Sequence, residues 1–276
     1  LHSFPTRRSS DLGTGVANSL DREKYDVTPV LITKEGIWQF PDSAPMDIWN
    51  AVPELKRRNV ECAFVALHGA FGEDGRMQGL LDLLGIPYTS SGCAANGIAI
   101  DKLRSKALVA AAGIPVAPSV QLARAEWQAD PDGTTARAAS VIGFPCVVKS
   151  PCQGSSVGMS IPQDETAFRE VVPEIFAFGD TLMIEAFIQG TEVTCGVLDI
   201  DAPIALPVTE IRPVTSSFFD YHAKYTPGAS REITPAEISP ELTRQVQELA
   251  VKAHEVIGCS IWSRSDFIIG DDGPVW

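Results

Sequence analysis

The sequence has no long apolar run, no paired cysteines and no excess of positive charge. Apolar stretches such as Phe144 to Val148 are strand-sized, far short of the roughly 20 residues that cross a bilayer, so no transmembrane helix and no membrane partner are expected. The six cysteines, at 62, 93, 146, 152, 195 and 259, stand singly, without the spacing of a zinc knuckle or a disulfide framework. A reducing cytoplasm is the expected location. Lys and Arg number 22 against 35 Asp and Glu, a formal net charge of −13, which gives no general footprint for nucleic acid; any bound anion must be gripped locally. There is no internal repeat and no low-complexity tract. An initiating methionine is also missing: the chain opens at Leu1 and closes on Pro274-Val275-Trp276 inside a strand-like run, so it reads as a fragment. Leu1 to Leu12 has neither a signal peptide's apolar core nor a strand's alternation and is expected to be foreign to the fold.

What is present fits one broad or two to three compact domains: 276 residues, 45% hydrophobic and 21% charged. From Asp26 onward strands and helices alternate. Val27 to Thr33 and Cys62 to Leu67 read as strands, the second buried, and Asp47 to Arg58 and Met77 to Leu84 as helices, the latter stopped by Gly85. That rhythm predicts a parallel α/β sheet. Asp101 to Ala112 reads as a helix ended by Gly113 and Pro115. An α+β unit follows, with a helix over Thr134 to Ile142, a strand over Cys146 to Lys149, a helix over Glu165 to Ala177 and a strand over Thr181 to Glu185. Further strands are expected at Glu192 to Asp199, Ile204 to Ile211 and Phe267 to Gly270. Ser239-Pro240-Glu241 starts a helix that runs to Gly258, and Asp271-Asp272-Gly273 marks a hairpin.

Four segments carry candidate chemistry. Gln153-Gly154-Ser155-Ser156-Val157-Gly158 follows Lys149 by four residues. Small residues there let backbone N–H groups approach an anion while a strand-end lysine supplies charge, although an ordinary glycine-rich hairpin has the same composition. No Gly-Lys-Ser/Thr closes the loop, so it is no Walker loop. His68-Gly69-Ala70-Phe71-Gly72-Glu73-Asp74-Gly75 follows the strand ending at Leu67, where α/β sheets place ligands; its glycine spacing is not the dinucleotide fingerprint. Arg264 and Asp266 sit two apart in an apolar strand and share one face, as a structural ion pair or as groups flanking an anion and its metal. Glu185 and Glu192 bracket a strand-to-strand transition.

In order along the chain, Leu67-His68-Gly69 through Glu73-Asp74-Gly75, Gln78-Gly79-Leu80-Leu81, Ile86-Pro87-Tyr88-Thr89-Ser90-Ser91-Gly92, Asp101-Lys102 with Lys106, Val147-Val148-Lys149, Gly154-Ser155-Ser156-Val157-Gly158-Met159, Phe219 to Tyr225 and Arg264-Ser265-Asp266-Phe267 resemble the D-alanine–D-alanine ligases of the ATP-grasp superfamily. The resemblance covers residues 12 to 276. It implies an α/β and α+β chain in three parts: an N-terminal parallel α/β domain (1–92) and two α+β units clasping ATP (93–184 and 185–276). It also implies ligation of two D-alanines through an acyl phosphate for peptidoglycan precursors, with ATP as co-substrate, Mg²⁺ or Mn²⁺ as metal, and a homodimer.

By the same resemblance, Lys102, Lys149 and Ser156 meet the ATP phosphates, and Glu185 with Ala186, Phe187 and Ile188 meets the adenine. Glu192 meets the ribose and Lys224 lies near the nucleotide. Arg264 would stabilise phosphate and the developing oxyanion, Asp266 would bind the metal, and Ser155 and Tyr225 would orient substrate. His68 would lie near the first D-alanine. Tyr221, Lys224 and Tyr225 keep the form of dipeptide rather than depsipeptide ligases, in a long loop that reads as a lid. The family's N-terminal glutamate, which anchors the first D-alanine, and its C-terminal Glu-x-Asn metal ligands have no counterpart, so the fragment itself is expected to be inactive. Gln153 replaces an acid of many relatives, and Ser260-Ile261 stands where relatives often carry Arg-Gly. Alternatives are another ATP-grasp carboxylate–amine or depsipeptide ligase and a non-catalytic ATP-binding remnant.

Overall fold

The computed structural model describes residues 7–154, 157–213, 230–271 and 273–276. The chain divides into two compact units, Leu1–Gly97 and Ile98–Trp276.

In the first unit α1 (Arg7–Ser19) precedes β1 (Leu31–Ile32), β2 (Trp38–Gln39), α2 (Ile48–Arg57) and α3 (Arg76–Leu84), and α4 (Cys93–Ala99) follows. Local chemistry sets the helix ends. The Asp47 carboxylate accepts the Asn50 N–H at the start of α2, and Gly85, at φ 67°, closes α3 in the left-handed conformation that glycine adopts without strain. Ile32, Trp38, Phe40, Ala51, Leu55, Leu81 and Ile86 form the core. The stretch expected to be foreign is helical from Arg7. The strand expected over Val27 to Thr33 is limited to Leu31–Ile32, paired antiparallel with Trp38–Gln39. Among the described residues of this unit, parallel pairing is present as one bridge, Ala63 with Tyr88, where the Ala63 N–H donates to Pro87 O and its carbonyl accepts from Thr89. The segment Cys62 to Leu67 is buried on one side only: Ala63, Val65 and Leu67 pack on the core, whereas Phe64 is exposed, as period-2 alternation requires.

The second unit holds two antiparallel sheets. α5 (Lys102–Ala111) leads into the first, built from β3 (Ser119–Ala123), β4 (Cys146–Lys149), β5 (Met159–Ser160) and β6 (Thr181–Ala186) in the order β3-β6-β4-β5. α6 (Arg124–Ala129), α7 (Pro131–Val141) and α8 (Glu165–Ile175) bury Trp127, Ala138, Phe168, Val172 and Ile175 against Leu122, Cys146, Val148, Leu182 and Ile184. The second sheet contains β7 (Gly190–Asp199), β8 (Pro203–Ala205), β9 (Thr209–Pro213), β10 (Ser230–Ile233) and β11 (Ile261–Gly270), in the order β10-β9-β7-β11 with β8 on β7. α9 (Pro240–Ile257), capped by Ser239 and Gly258 as the sequence predicts, packs Val246 and Ala250 on Val193, Cys195, Val197, Phe267 and Ile269.

The single strand expected over Ile204 to Ile211 is two. Pro207 has no N–H to donate, and the chain breaks there into β8 and β9, which pair with successive parts of β7. α6 was not foreseen, and the helix expected to reach Ala177 ends as α at Ile175 and continues as a 3₁₀ turn over Phe176–Phe178. The expected hairpin forms: Trp276 N–H donates to Ile268 O and Ile268 N–H to Trp276 O, with Asp272 outside the described residues.

Candidate active site

In the first sheet Cys146 and Val148, Leu182 and Ile184 point into the core, so alternation turns Val147, Lys149, Met183 and Glu185 to the other face. The register sets Val147 opposite Glu185 and Lys149 opposite Met183, and the Lys149 ammonium reaches the neighbouring row to donate to Glu185 Oε2 at 2.5 Å. The other carboxylate oxygen, Oε1, is held by Lys106 of α5. Lys106, Lys149 and Glu185 are only 15–18% exposed. Burial raises the Glu185 carboxyl, but Lys149 and Lys106 outweigh it and hold the group below the usual carboxylate range. Burial pushes the Lys106 ammonium below the usual lysine value, with Glu185 pulling it back up. Two cations share one carboxylate, so the cluster carries a surplus positive charge in a half-desolvated position.

Asp101 caps α5 through the Leu103 and Arg104 N–H groups, which sets the helix phase. Lys102 and Lys106, four apart, then lie on one face. Lys102 Nζ donates to Gln153 O at 2.6 Å and Pro151 O at 3.3 Å, and its backbone N–H also donates to Pro151 O. One helix face therefore braces both the Lys149–Glu185 pair and the start of the glycine-serine loop. Gly154 has open space around it, whereas Gly158, at φ +63°, would drive a Cβ to 2.8 Å from the Phe178 ring. Ser155, Ser156, Tyr221, Lys224 and Tyr225 lie outside the described residues. After Glu185, Ala186 donates its N–H to Pro118 O, and Phe187 and Ile188 lie in the connection to β7.

In the second sheet the core takes Val193, Cys195, Val197, Phe267 and Ile269, which leaves Glu192, Thr194, Arg264 and Asp266 on the opposite face. Asp266 pairs with Thr194 across the strands, one row from Glu192 opposite Ile268. Thr194 Oγ1 donates to Asp266 Oδ1 at 2.8 Å, and Arg264 Nε lies 3.3 Å from the same oxygen. Arg264 and Asp266 are 67% and 66% exposed, so the face predicted to handle phosphate and metal is open. Among the described residues no group of three or more His, Cys, Asp or Glu converges as a metal cluster.

His68 belongs to the first unit. Its Nδ1 lies 3.7 Å from Glu73 Oε1, and the same carboxylate accepts the Gly69 N–H through Oε2 at 2.5 Å. Asp74 accepts the Phe71 N–H at 2.8 Å, and the buried Gln78 amide donates to Gly72 O at 2.8 Å. At Gly75 a Cβ would fall 2.3 Å from Cys93 O, so this glycine is required by close approach. Phe71, at φ 69°, takes a left-handed conformation unusual for an aromatic residue.

A family model described as the D-ala D-ala ligase N-terminus matches residues 9–91, and one described as the D-ala D-ala ligase C-terminus matches residues 108–276. The chain belongs to the D-alanine–D-alanine ligase family. The D-alanine–D-alanine ligase of Leptospira biflexa serovar Patoc is 39% identical over 284 residues, covering 93% of this chain and 80% of that protein. Among solved structures, the D-Ala:D-Ser ligase VanG of Enterococcus faecalis superposes with a TM-score of 0.79 at 28% identity, covering 98% of this chain and 85% of its own. The D-alanine–D-alanine ligase of Bacillus anthracis complexed with ATP superposes at 0.72 with 29% identity, covering 97% and 79%. The two antiparallel sheets of the second unit are thus those of an ATP-grasp ligase. In the sequence Lys106 stands within a family motif with no role assigned to it; its spacing of four from Lys102 on a helix is the available signal. No described helix is long and apolar enough to cross a membrane.

Proposed function

We propose as the function the ATP-driven joining of two D-alanines into D-alanyl-D-alanine, as a step toward peptidoglycan precursors. The γ-phosphoryl group passes to the carboxylate of the first D-alanine, with release of ADP. The amine of the second attacks the acyl phosphate, and phosphate leaves from the tetrahedral intermediate as the amine loses its proton. The observation that carries this reading is the surplus positive charge of Lys106, Lys149 and Glu185, braced by Lys102 against the glycine-serine loop. Phosphoryl transfer relies mainly on positioning and charge neutralisation, and this cluster supplies both.

We assign Lys102, Lys149 and Ser156 to the phosphates. Because the Glu185 carboxylate is committed to two lysines, the adenine falls to the backbone of Ala186, Phe187 and Ile188, and the ribose to Glu192. Lys224 is assigned to the nucleotide, His68 to the first D-alanine, and Ser155 and Tyr225 to substrate orientation. Arg264 is assigned to the developing oxyanion, whose charge a guanidinium offsets. Asp266 is the assigned ligand of Mg²⁺ or Mn²⁺, which would neutralise phosphate charge; among the described residues no group of three or more His, Cys, Asp or Glu gathers around it, short of the six oxygens Mg²⁺ takes, so every step assigned here rests on the chain's own groups. The domain limits 1–92, 93–184 and 185–276, a cytoplasmic location and a homodimer complete the proposal.

ADP release and dipeptide formation from D-alanine, ATP and Mg²⁺ by the intact protein test this reading. Absence of both would overturn it. The likeness to a D-Ala:D-Ser ligase makes the second amino acid the point of choice: D-alanine preferred over D-serine and D-lactate is expected, and the reverse preference would reassign the enzyme within the family.

A further inference from the structure

We propose that Lys106 is a positioning residue for the nucleotide: by occupying one oxygen of Glu185 it keeps the charge of Lys149 available to the ATP phosphates. This rests on the assignment of Lys149 to those phosphates.

Glu185 has two carboxylate oxygens and each is taken by a different lysine, Oε1 by Lys106 and Oε2 by Lys149. All three side chains are largely withdrawn from water, where neighbouring charges are weakly screened. With Lys106 present, two positive charges face one negative charge, and the surplus projects toward an incoming polyanion. Without Lys106, Glu185 and Lys149 form an isolated neutral pair. Both carboxylate oxygens then compete for the Lys149 ammonium, and a phosphate must break that pair to reach it. Lys106 also sits one helical turn after Lys102, whose ammonium holds the loop carbonyls of Pro151 and Gln153. The helix face that balances Glu185 thus also fixes the edge of the loop next to Lys149. Lys106 donates to the carboxylate and needs no contact with substrate to act.

Removing Lys106 leaves no buried charge unpaired, since Glu185 retains Lys149, so Lys106→Met is expected to fold. In the intact protein it should raise the KM for ATP about tenfold, with kcat and the KM for D-alanine changed about twofold or less, and equilibrium binding of ATP should weaken by the same factor. The decisive variant is Lys106→Met combined with Glu185→Gln. It restores a single positive charge on Lys149 and should return the KM for ATP to within about threefold of the parent. A role in helix packing alone predicts no such recovery. An unchanged KM for ATP in Lys106→Met, or a double variant that melts normally yet stays as impaired as the single one, overturns the inference. If the methionine variant does not fold, Lys106→Arg keeps the charge and should stay within about threefold of the parent; a loss of ATP affinity there as large as tenfold overturns it as well. A parent protein that binds no ATP would sink the functional reading itself, whereas a parent that binds ATP and ignores the Lys106 change sinks only this inference.

Discussion

The face that the first sheet turns away from its core carries Lys149 and Glu185 at 18% and 15% exposure, locked by a third side chain from α5. The matching face of the second sheet carries Arg264 and Asp266 at 67% and 66%, held by one threonine and by each other. Both sheets follow the same rule, apolar residues to the helices and charged residues to the other side. They differ in how far the charges are fixed before substrate arrives. Lys106, reaching in from α5, commits the geometry of the first sheet's charged pair, whereas the second presents exposed groups whose positions are cheap to change. Charge is built in and fixed on one sheet and left free to adjust on the other.

The strongest way to break this comparison is to remove the support of the first sheet. Phe168 is fully buried and meets Trp127 and Phe144 edge-on, so Phe168→Ala should cost about 3–5 kcal/mol, read as a lowered urea midpoint. Arg264→Ala attacks the second sheet at a solvent-exposed side chain. Its unfolding midpoint should stay within about 0.5 kcal/mol of the parent, while kcat falls about 10²–10³-fold if the guanidinium meets the developing oxyanion. An unchanged kcat would remove Arg264 from the chemistry.

A smaller effect, of opposite sign, is expected where β11 begins. Ile261 sits at φ +65°, a left-handed conformation that crowds a β-branched side chain, at the place where the resemblance leads one to look for glycine. Ile261→Gly should raise stability by about 1 kcal/mol, measured by urea unfolding; a loss of stability would show that the isoleucine's packing outweighs its backbone strain. The smallest effect concerns pH. Because the Glu185 value is lowered from 4.5 in the folded chain, its contribution is complete above about pH 4.5 and fades as pH falls through the folded value. The stability difference between the parent and Glu185→Gln should therefore shrink on acidification below that pH. A difference that grew toward acid would reverse the sign assigned to the cluster.

Legibility from sequence followed the range of the interactions. Asp47, Asp101, Ser239, Gly85 and Gly258 act within a turn of where they stand, and each helix end they mark is where it was read. Cys146 to Lys149 and Thr181 to Glu185 are short apolar runs of strand length, and both form strands. Readings failed where a partner decides. Val27 to Val30 has strand composition but stays outside the β1–β2 ladder, and Ile204 to Ile211 divides because Pro207 withholds a donor while β7 offers two separate pairing stretches. At the site, the shared face of Arg264 and Asp266 was readable from period two. The commitment of Glu185 to Lys106 and Lys149 was not, because it joins residues 79 and 36 positions apart.

By itself, then, the sequence determined the family, the helix limits, the alternation that sends charge to one side of each strand, and a local rather than global grip on anions in a chain of net charge −13. These depend on neighbours along the chain or on composition. Tertiary structure alone decided that α5 lies against Glu185, that two lysines share one carboxylate, and that Arg264 and Asp266 stay in water. Those outcomes are set by which surfaces bury one another, and the free energy of an ionised group depends on its distance from other charges and from solvent, neither of which is written in the order of residues.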